Sequence, residues 1–353
     1  FNESGLGKIT RDELERALTG KSTDVVFGVA EDRFVLKGFT LKDEIALLFQ
    51  LYHAFLKDPG FRKEAFDLTQ ERFRQKYLEL NRSPDGAMIL HGRRFFSGGD
   101  FRFGLPPFKA FKELTLEDVR SWLEPLLKNA PLEVSLVGDF DVDAAISLAG
   151  RYLGSLPERR PAPPPETADT PRFPPSRPLI HPVDTKIRKG LVVVAYPTED
   201  LWDIQRTRRL NVLGEVFSDR LRERVREKLG AAYSPFAFNR ASRAYENYGV
   251  FQIWVQTAPE KKDVVIREIK HIADELAKKG VTGEELKRAL EPTLTGIRDM
   301  LRTTSYWLNT VLSGSRRHPE QIRWNRSIAE DYAAIRADEL SLLAKTYLVN
   351  AKS

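Results

Sequence analysis

The sequence predicts an α+β fold with two similar α/β-sandwich domains, each a mostly antiparallel sheet with helices packed on one face. Three observations lead to this prediction. Short apolar runs typical of strands alternate with longer amphipathic helices, their order is similar in the two halves of the chain, and a proline-rich segment separates the halves. That segment, residues 157–178, has nine prolines in 22 residues and is expected to form an extended linker.

The first domain is predicted to comprise residues 1–156. Its helix 41–56 carries apolar residues at intervals of three and four, and Thr115 followed by Asp118 gives helix 115–128 a capping-box start. The remaining predicted elements are helices over 10–18, 61–80, 84–95 and 141–152 and strands over 24–30 and 132–137. Because so few strands precede the long helices, we expect the opening strands of this domain to be missing.

The second domain is predicted to comprise residues 179–353. Its strand 190–196 is almost continuously apolar, which is typical of a strand buried on both faces, and Gly230 follows helix 201–229 where a helix commonly ends. The other predicted elements are strands over 231–238 and 248–256, helices over 263–279, 305–312 and 337–348, and a helix over 282–301 that is interrupted at Pro292. The first domain has a strand after its capped helix and this domain does not. We therefore infer a duplicated unit and expect the last strand of the second copy to be missing.

The composition and the motifs that are missing argue against several classes of function. A net charge of +6 over 353 residues, with acids interleaved among the bases, is too small to indicate a nucleic-acid-binding protein. The sequence has no apolar run long enough to cross a membrane, and no cysteine for disulfides or thiolate metal sites. The five histidines stand too far apart for a helical zinc motif, and no Gly-x-Ser-x-Gly is present. We predict no nucleic-acid or membrane partner and no local metal motif, while a metal site assembled from distant residues stays open.

The junction between helix 201–229 and the strand that follows it is the strongest candidate for a functional site. Arg226 lies on the last turn of this helix, and Tyr233 lies near the start of the strand. Alternation places Phe236 and Phe238 on one face of the strand and Tyr233 on the other, so Tyr233 faces outward if the phenylalanines face the helices. Arg226 and Tyr233 would then present hydrogen-bond donors to a peptide carbonyl. The alternative is a surface arginine beside a half-buried tyrosine with no such role. Strand 248–256 is predicted to offer a sheet edge to an extended peptide.

The residues of this junction resemble a known family. The segment Arg-Glu-Lys-Leu-Gly-Ala-Ala-Tyr-Ser, which starts at Arg226, is similar to the Arg-Glu-x-x-Gly-x-x-Tyr-Ser segment of the pitrilysin/insulinase family of zinc metallopeptidases. Further similar segments occur in the expected order over nearly the whole chain, at 114–119, 132–139, 152–157 and 280–286. The family's His-x-x-Glu-His zinc motif is absent. The chain therefore resembles a fragment comprising the C-terminal, non-catalytic half, most like that of large bacterial members.

This resemblance implies a function for the chain. Family members consist of two halves that close like a clamshell around a peptide, and Arg226 and Tyr233 match the family's Arg/Tyr pair, which reaches across to the substrate. The implied partners are a peptide substrate and the catalytic N-terminal half, on the same polypeptide or on a partner subunit. Zinc is expected in that missing half, with no cofactor and no catalytic residue in this chain. The alternative is a non-enzymatic scaffold of the same fold. Analogy with bacterial relatives favours the periplasm or export and leaves a cytoplasmic location open.

Overall fold

The computed structural model describes residues 1–160, 169–229 and 235–353, with the side chains of residues 225–229 also outside the described set. Their Cα positions divide the chain into two compact units. Unit 1 is formed by Phe1–Tyr77 and Pro107–Ala168, and unit 2 by Leu78–Pro106 and Asp169–Ser353. The predicted linker at 157–178 stays a prediction. The observed division differs from a single cut there, because residues 78–106 group with unit 2.

Unit 1 contains a two-stranded antiparallel hairpin, β1 (Asp24–Val29) and β2 (Phe34–Phe39), in which Val29 lies opposite Phe34. One face of the hairpin packs on helices through Val25, Phe27 and Leu36, whereas Val26 on the other face is 48% exposed. This agrees with the predicted packing of helices on one face. The described α-helices that lie wholly or largely in this unit are α1 (Arg11–Ala17), α2 (Ile45–Lys57), α3 (Lys63–Leu80), α6 (Phe108–Glu113), α7 (Leu116–Asn129) and α8 (Val142–Tyr152).

Two local predictions for unit 1, a capping box and a strand, can be compared with the structure. The capping box of α7 is confirmed, because the side chain of Thr115 accepts from the backbone N–H of Asp118 and the carboxylate of Asp118 accepts from that of Thr115. The strand predicted over 132–137 is wrong. This segment pairs with no described strand, and Leu132 instead packs its side chain into the cluster around Phe27. A strand needs a neighbour for its backbone hydrogen bonds, and an apolar run alone does not supply one.

Unit 2 contains a three-stranded antiparallel sheet in the order β3 (Gly190–Thr198), β5 (Gly249–Thr257), β4 (Phe236–Ala241). Because β5 lies between the other two strands, the prediction that it offers a free sheet edge is wrong. The described α-helical and π-helical segments of this unit are α4 (Pro84–Ala87), a π-helical turn (Met88–Gly92), α5 (Arg93–Phe96), α9 (Ile204–Leu229), α10 (Lys262–Lys279), α11 (Gly283–Met300), α12 (Thr304–Tyr306), a second π-helical turn (Trp307–Leu312), α13 (Glu320–Ala333) and α14 (Ala337–Tyr347).

The main core of unit 2 lies between this sheet and α9, α10 and α14. Fully buried residues from the two layers meet there, among them Phe217 of α9, Phe251 of β5 and Ile269 of α10. The predicted interruption of α11 at Pro292 is wrong, because the helix runs through this residue. Pro292 and Arg288 are both exposed, so the Arg288 carbonyl that loses its intrahelical partner lies on the side that water reaches.

The opposite face of the sheet is called the outer face below. Its β3 side is covered by the chain itself, since Ala195 and Val250 pack with Phe96 of α5, Phe103 and Phe173. The rings of Phe96 and Phe173 stack with their centroids 5.9 Å apart and 11° between their planes. Residues 78–106 therefore group with unit 2 because their aromatic side chains pack on its sheet, together with part of the proline-rich segment.

Candidate functional site

The junction between α9 and β4 carries the two predicted substrate-binding residues. Position 226 lies in the last turn of α9, but the side chain of Arg226 lies outside the described residues, as does the whole of Tyr233. The role assigned to both stays a prediction. The described residues of the junction anchor the C-terminal part of α9 and the strand β4.

The C-terminal part of α9 is anchored by buried ion pairs. The guanidinium of Arg220 donates from Nε to Glu285 at 2.6 Å and from Nη2 to the backbone carbonyl of Gly280 at 2.9 Å. One turn later, Arg224 pairs with Glu275 of α10. The side chains of Arg220 and Glu285 are only 14% and 15% exposed, so breaking this pair would leave a charge buried without a partner. These bonds fix the direction in which α9 approaches the junction.

The carboxylate of Glu285 makes the anchor sensitive to acid. Burial raises its pKa, but hydrogen bonds from Arg220 and from Thr282 outweigh burial and lower the pKa of Glu285 to about 2. A lowered pKa stabilises the fold above the ordinary value of 4.5, and this contribution is lost as the pH falls from there through about 2. Glu285→Gln is therefore expected to lower the free energy of unfolding by about 1–2 kcal/mol at pH 7, and by progressively less on acidification.

Chemical denaturation across this pH range measures the effect of Glu285→Gln. The matched control is Glu284→Gln, which removes a neighbouring but exposed carboxylate in the same first turn of α11. A destabilisation by Glu285→Gln that is the same at pH 3 and pH 7, or equal to that of the control, would contradict the assignment.

The strand β4 is held to α9 by the hydroxyl of Ser218. This oxygen accepts from the backbone N–H of Ala237 at 2.8 Å and donates to the carbonyl of Gly214 at 2.7 Å. The helix approaches closely at Gly214, where an added Cβ would lie 3.0 Å from the carbonyl oxygen of Ala237. The backbone N–H of Ala237 points away from β5 and is bonded to Ser218 of α9. The edge of β4 that does not pair with β5 is therefore closed at this residue.

The side chains of β4 point to the opposite faces of the sheet from those assumed in the prediction for Tyr233. Ala237 faces the helices and belongs to the main core, whereas Phe236 and Phe238 lie on the outer face. The assumption that the phenylalanines face the helices is therefore wrong. Alternation along the strand no longer supports an outward direction for Tyr233, which rests on the family resemblance alone.

Three rings meet on the outer face and form what we call the aromatic platform: Phe236, Phe238 and Trp254 of β5. Their centroids lie 5.7–6.3 Å apart, and Phe236 stacks on both of the others with 22–23° between the ring planes. Phe236 is 47% exposed, and the other two are half-buried. The indole Nε1–H of Trp254 donates to the buried side chain of Gln252 at 3.0 Å. Sequence analysis grouped the two phenylalanines on one face but missed Trp254, because only the strand register places it beside them.

Two cavities of unit 2 lie away from the aromatic platform. A cavity of about 550 Å³ lies at the end of β3 and β5 away from Phe236 and is lined by 169–173, 197–198 and 247–249. A second, of about 370 Å³, is lined by Asp200, Trp202, Glu246, Asn247, His318 and Glu320. Over the described ranges, no group of three or more His, Asp or Glu side chains is arranged to hold a metal ion. No described helix is both long and apolar enough to span a bilayer.

The sequence has relatives among known peptidases. It is 23% identical to the chloroplastic stromal processing peptidase of Arabidopsis thaliana over 372 residues, covering 88% of this chain and 29% of that protein. It is 26% identical over 222 residues to an uncharacterized zinc protease of Rickettsia felis, covering 60% of this chain and 51% of that protein. The chain thus spans less than a third of the plant relative.

Solved structures share the fold. A peptidase M16 inactive domain from Pseudomonas fluorescens superposes with a TM-score of 0.81 at 16% identity, covering 99% of this chain and 84% of that one. The periplasmic protease PqqL of Escherichia coli gives a TM-score of 0.77 at 16% identity, covering 98% of this chain and 38% of that one.

The family assignment rests on the sequence itself. Residues 113–292, just over half of the chain, match the peptidase M16 inactive domain. This range includes α9, β4 and β5, and so the whole junction and the aromatic platform. The resemblance to the non-catalytic half of a zinc metallopeptidase is confirmed, and the chain belongs to the family of the peptidase M16 inactive domain.

Proposed function

We propose that this chain is the substrate-binding, non-catalytic half of a zinc-dependent endopeptidase that encloses peptides in a clamshell chamber. The observation that carries the proposal is the match to an inactive peptidase domain in a chain that retains Arg226 and Tyr233. A domain kept only as a scaffold needs neither residue at a substrate-facing junction. The names of the relatives, a processing peptidase, a zinc protease and a periplasmic protease, support a polypeptide as the substrate.

We assign different chemical roles to the two halves. The described residues do not fit a metal site, so zinc and the activation of water are assigned to the catalytic half. In this chain, the guanidinium of Arg226 and the phenol of Tyr233 donate hydrogen bonds to the substrate carbonyl and to the negative charge that develops on its oxygen. The Arg220 and Arg224 ion pairs on one side and the Ser218 bond on the other hold the elements that carry these donors.

Peptidase assays on the isolated chain test the division between the halves. With added zinc, the pure chain is expected to bind labelled peptides but to leave them uncut. The complete protein is expected to hydrolyse the same peptides and to lose this activity with a chelator. Robust, chelator-sensitive turnover by the isolated chain would contradict the proposal. A complete protein that binds and cuts no peptide would favour the scaffold alternative.

A further inference from the structure

The aromatic platform is an apolar surface that the chain itself leaves partly uncovered. The neighbouring β3 side of the outer face is buried under Phe96, Phe103 and Phe173, whereas Phe236 remains 47% exposed. A half-exposed aromatic side chain that is stacked on two others is already held in place. It therefore loses little conformational entropy when a ligand covers it.

We propose that the platform and Arg240 form a subsite for a polypeptide substrate, in which a bulky apolar side chain lies on the rings and a carboxylate pairs with Arg240. This inference rests on the proposed function, because it names the chemistry of the substrate that the non-catalytic half receives. The occupant is a peptide because the chain belongs to a peptidase family and the platform begins three residues after Tyr233.

The polar groups of the platform favour an apolar ligand side chain. The ring nitrogen of Trp254 already donates to Gln252, whose own side chain is buried. The rings therefore present carbon faces and edges, without a free donor aimed at a ligand. A leucine, phenylalanine or tyrosine side chain packs on such a surface, whereas a carboxylate would be desolvated there without a partner.

Arg240 adds a charge to the same face of β4. It stands two residues after Phe238, so the two side chains project in the same direction about 7 Å apart along the strand. Arg240 is exposed and forms no ion pair with a carboxylate of any described residue. A guanidinium that pairs with no described carboxylate, beside an apolar surface, fits a peptide that carries a glutamate or aspartate close to its apolar residue.

The closed edge of β4 determines how such a peptide would bind. The backbone of Ala237 is already bonded to Ser218, so the peptide cannot extend the sheet at that residue. Binding would instead occur across the outer face, through side chains. In this mode, affinity depends on the side chains of the ligand, whereas in strand addition it depends mainly on the ligand's backbone.

Fluorescence anisotropy with the 353-residue chain and labelled peptides tests the proposal. The reference peptide carries Phe-x-Glu, and its analogues replace the Phe with Ser or the Glu with Gln. The double variant Phe236→Ser, Phe238→Ser is expected to bind the reference peptide about tenfold more weakly or worse. Arg240→Gln is expected to weaken it about two- to fivefold, in a salt-dependent way, and to leave the Gln analogue unaffected.

Matched variants separate the possible outcomes. Phe101→Ser removes another phenylalanine of unit 2, 83% exposed, and should leave binding unchanged, while thermal melts confirm that every variant folds. If the platform variants bind the reference peptide as tightly as the wild type does, the subsite is wrong and the proposed function stands. If no peptide binds the chain at all, the proposed function itself fails. Light scattering that shows a dimer abolished by Phe236→Ser would assign the platform to a second copy and overturn the proposal.

Discussion

In the complete peptidase that we propose, Arg226→Ala and Tyr233→Phe are each expected to lower kcat/KM by about a few hundredfold at most, without unfolding the protein. Each change removes one hydrogen-bond donor that we assign to the substrate carbonyl, and a donor of this type typically contributes about 10²–10³ to the rate. The loss should fall mainly on kcat, because the bond strengthens as charge develops on the oxygen. Steady-state kinetics on a peptide substrate measure it.

A neighbouring arginine on the same helix serves as the control for Arg226. Arg222 is about half-exposed and pairs locally with Asp219, one turn before it. Arg222→Ala therefore removes the same charge from α9 without touching the assigned site, and its kcat/KM should remain near that of the wild type. If Arg226→Ala and Tyr233→Phe both leave the kinetics unchanged, the role assigned to the pair is wrong.

The largest expected effect on stability comes from Phe217→Ala. Phe217 is fully buried in the core of unit 2, with its ring 6.1 Å from that of Phe251. Truncation leaves a cavity in a close-packed region and is expected to lower the free energy of unfolding by about 3–5 kcal/mol. Because Phe217 lies on α9 between the sheet and the other helices, the loss would also loosen the helix that leads to position 226.

The same substitution at an exposed site separates burial from residue type. Phe101→Ala should change the free energy of unfolding by about 0.5 kcal/mol or less, since Phe101 is 83% exposed. Urea denaturation of the two variants gives the comparison. A loss below about 1 kcal/mol for Phe217→Ala would show that the core is not packed as described.

Helices were largely predictable from the sequence because their signals are local. The spacing of apolar residues gave α2 and α9, and the Thr-to-acid capping pattern gave the first residue of α7 within one position. The helix α13 was not predicted, although Trp324, Ile328 and Tyr332 follow one another at intervals of four residues. It also contacts α9 through Asp331, which pairs with the buried Arg208, and only the fold brings these two residues together.

Sheet order and the direction of side chains were not predictable, since both depend on pairing between distant residues. The sequence of β5 indicates a strand but not that it lies between β3 and β4. Likewise, alternation groups Phe236 with Phe238 and leaves open which face meets the helices. For the site, the sequence indicated Arg226 and Tyr233 through a family resemblance, whereas Trp254 joins the aromatic platform only through the register of β4 on β5.

Cross-linking tests the central claim, that this half contacts the substrate at the α9–β4 junction, most directly. In the complete protein, Tyr233 is replaced by the photoreactive p-benzoyl-phenylalanine, a bound labelled peptide is irradiated, and the adducts are identified by mass spectrometry. We predict that the peptide is labelled from position 233 and that excess unlabelled substrate suppresses the adduct. Adducts confined to the protein's own chain, with no label on a peptide that is demonstrably bound, would contradict the account.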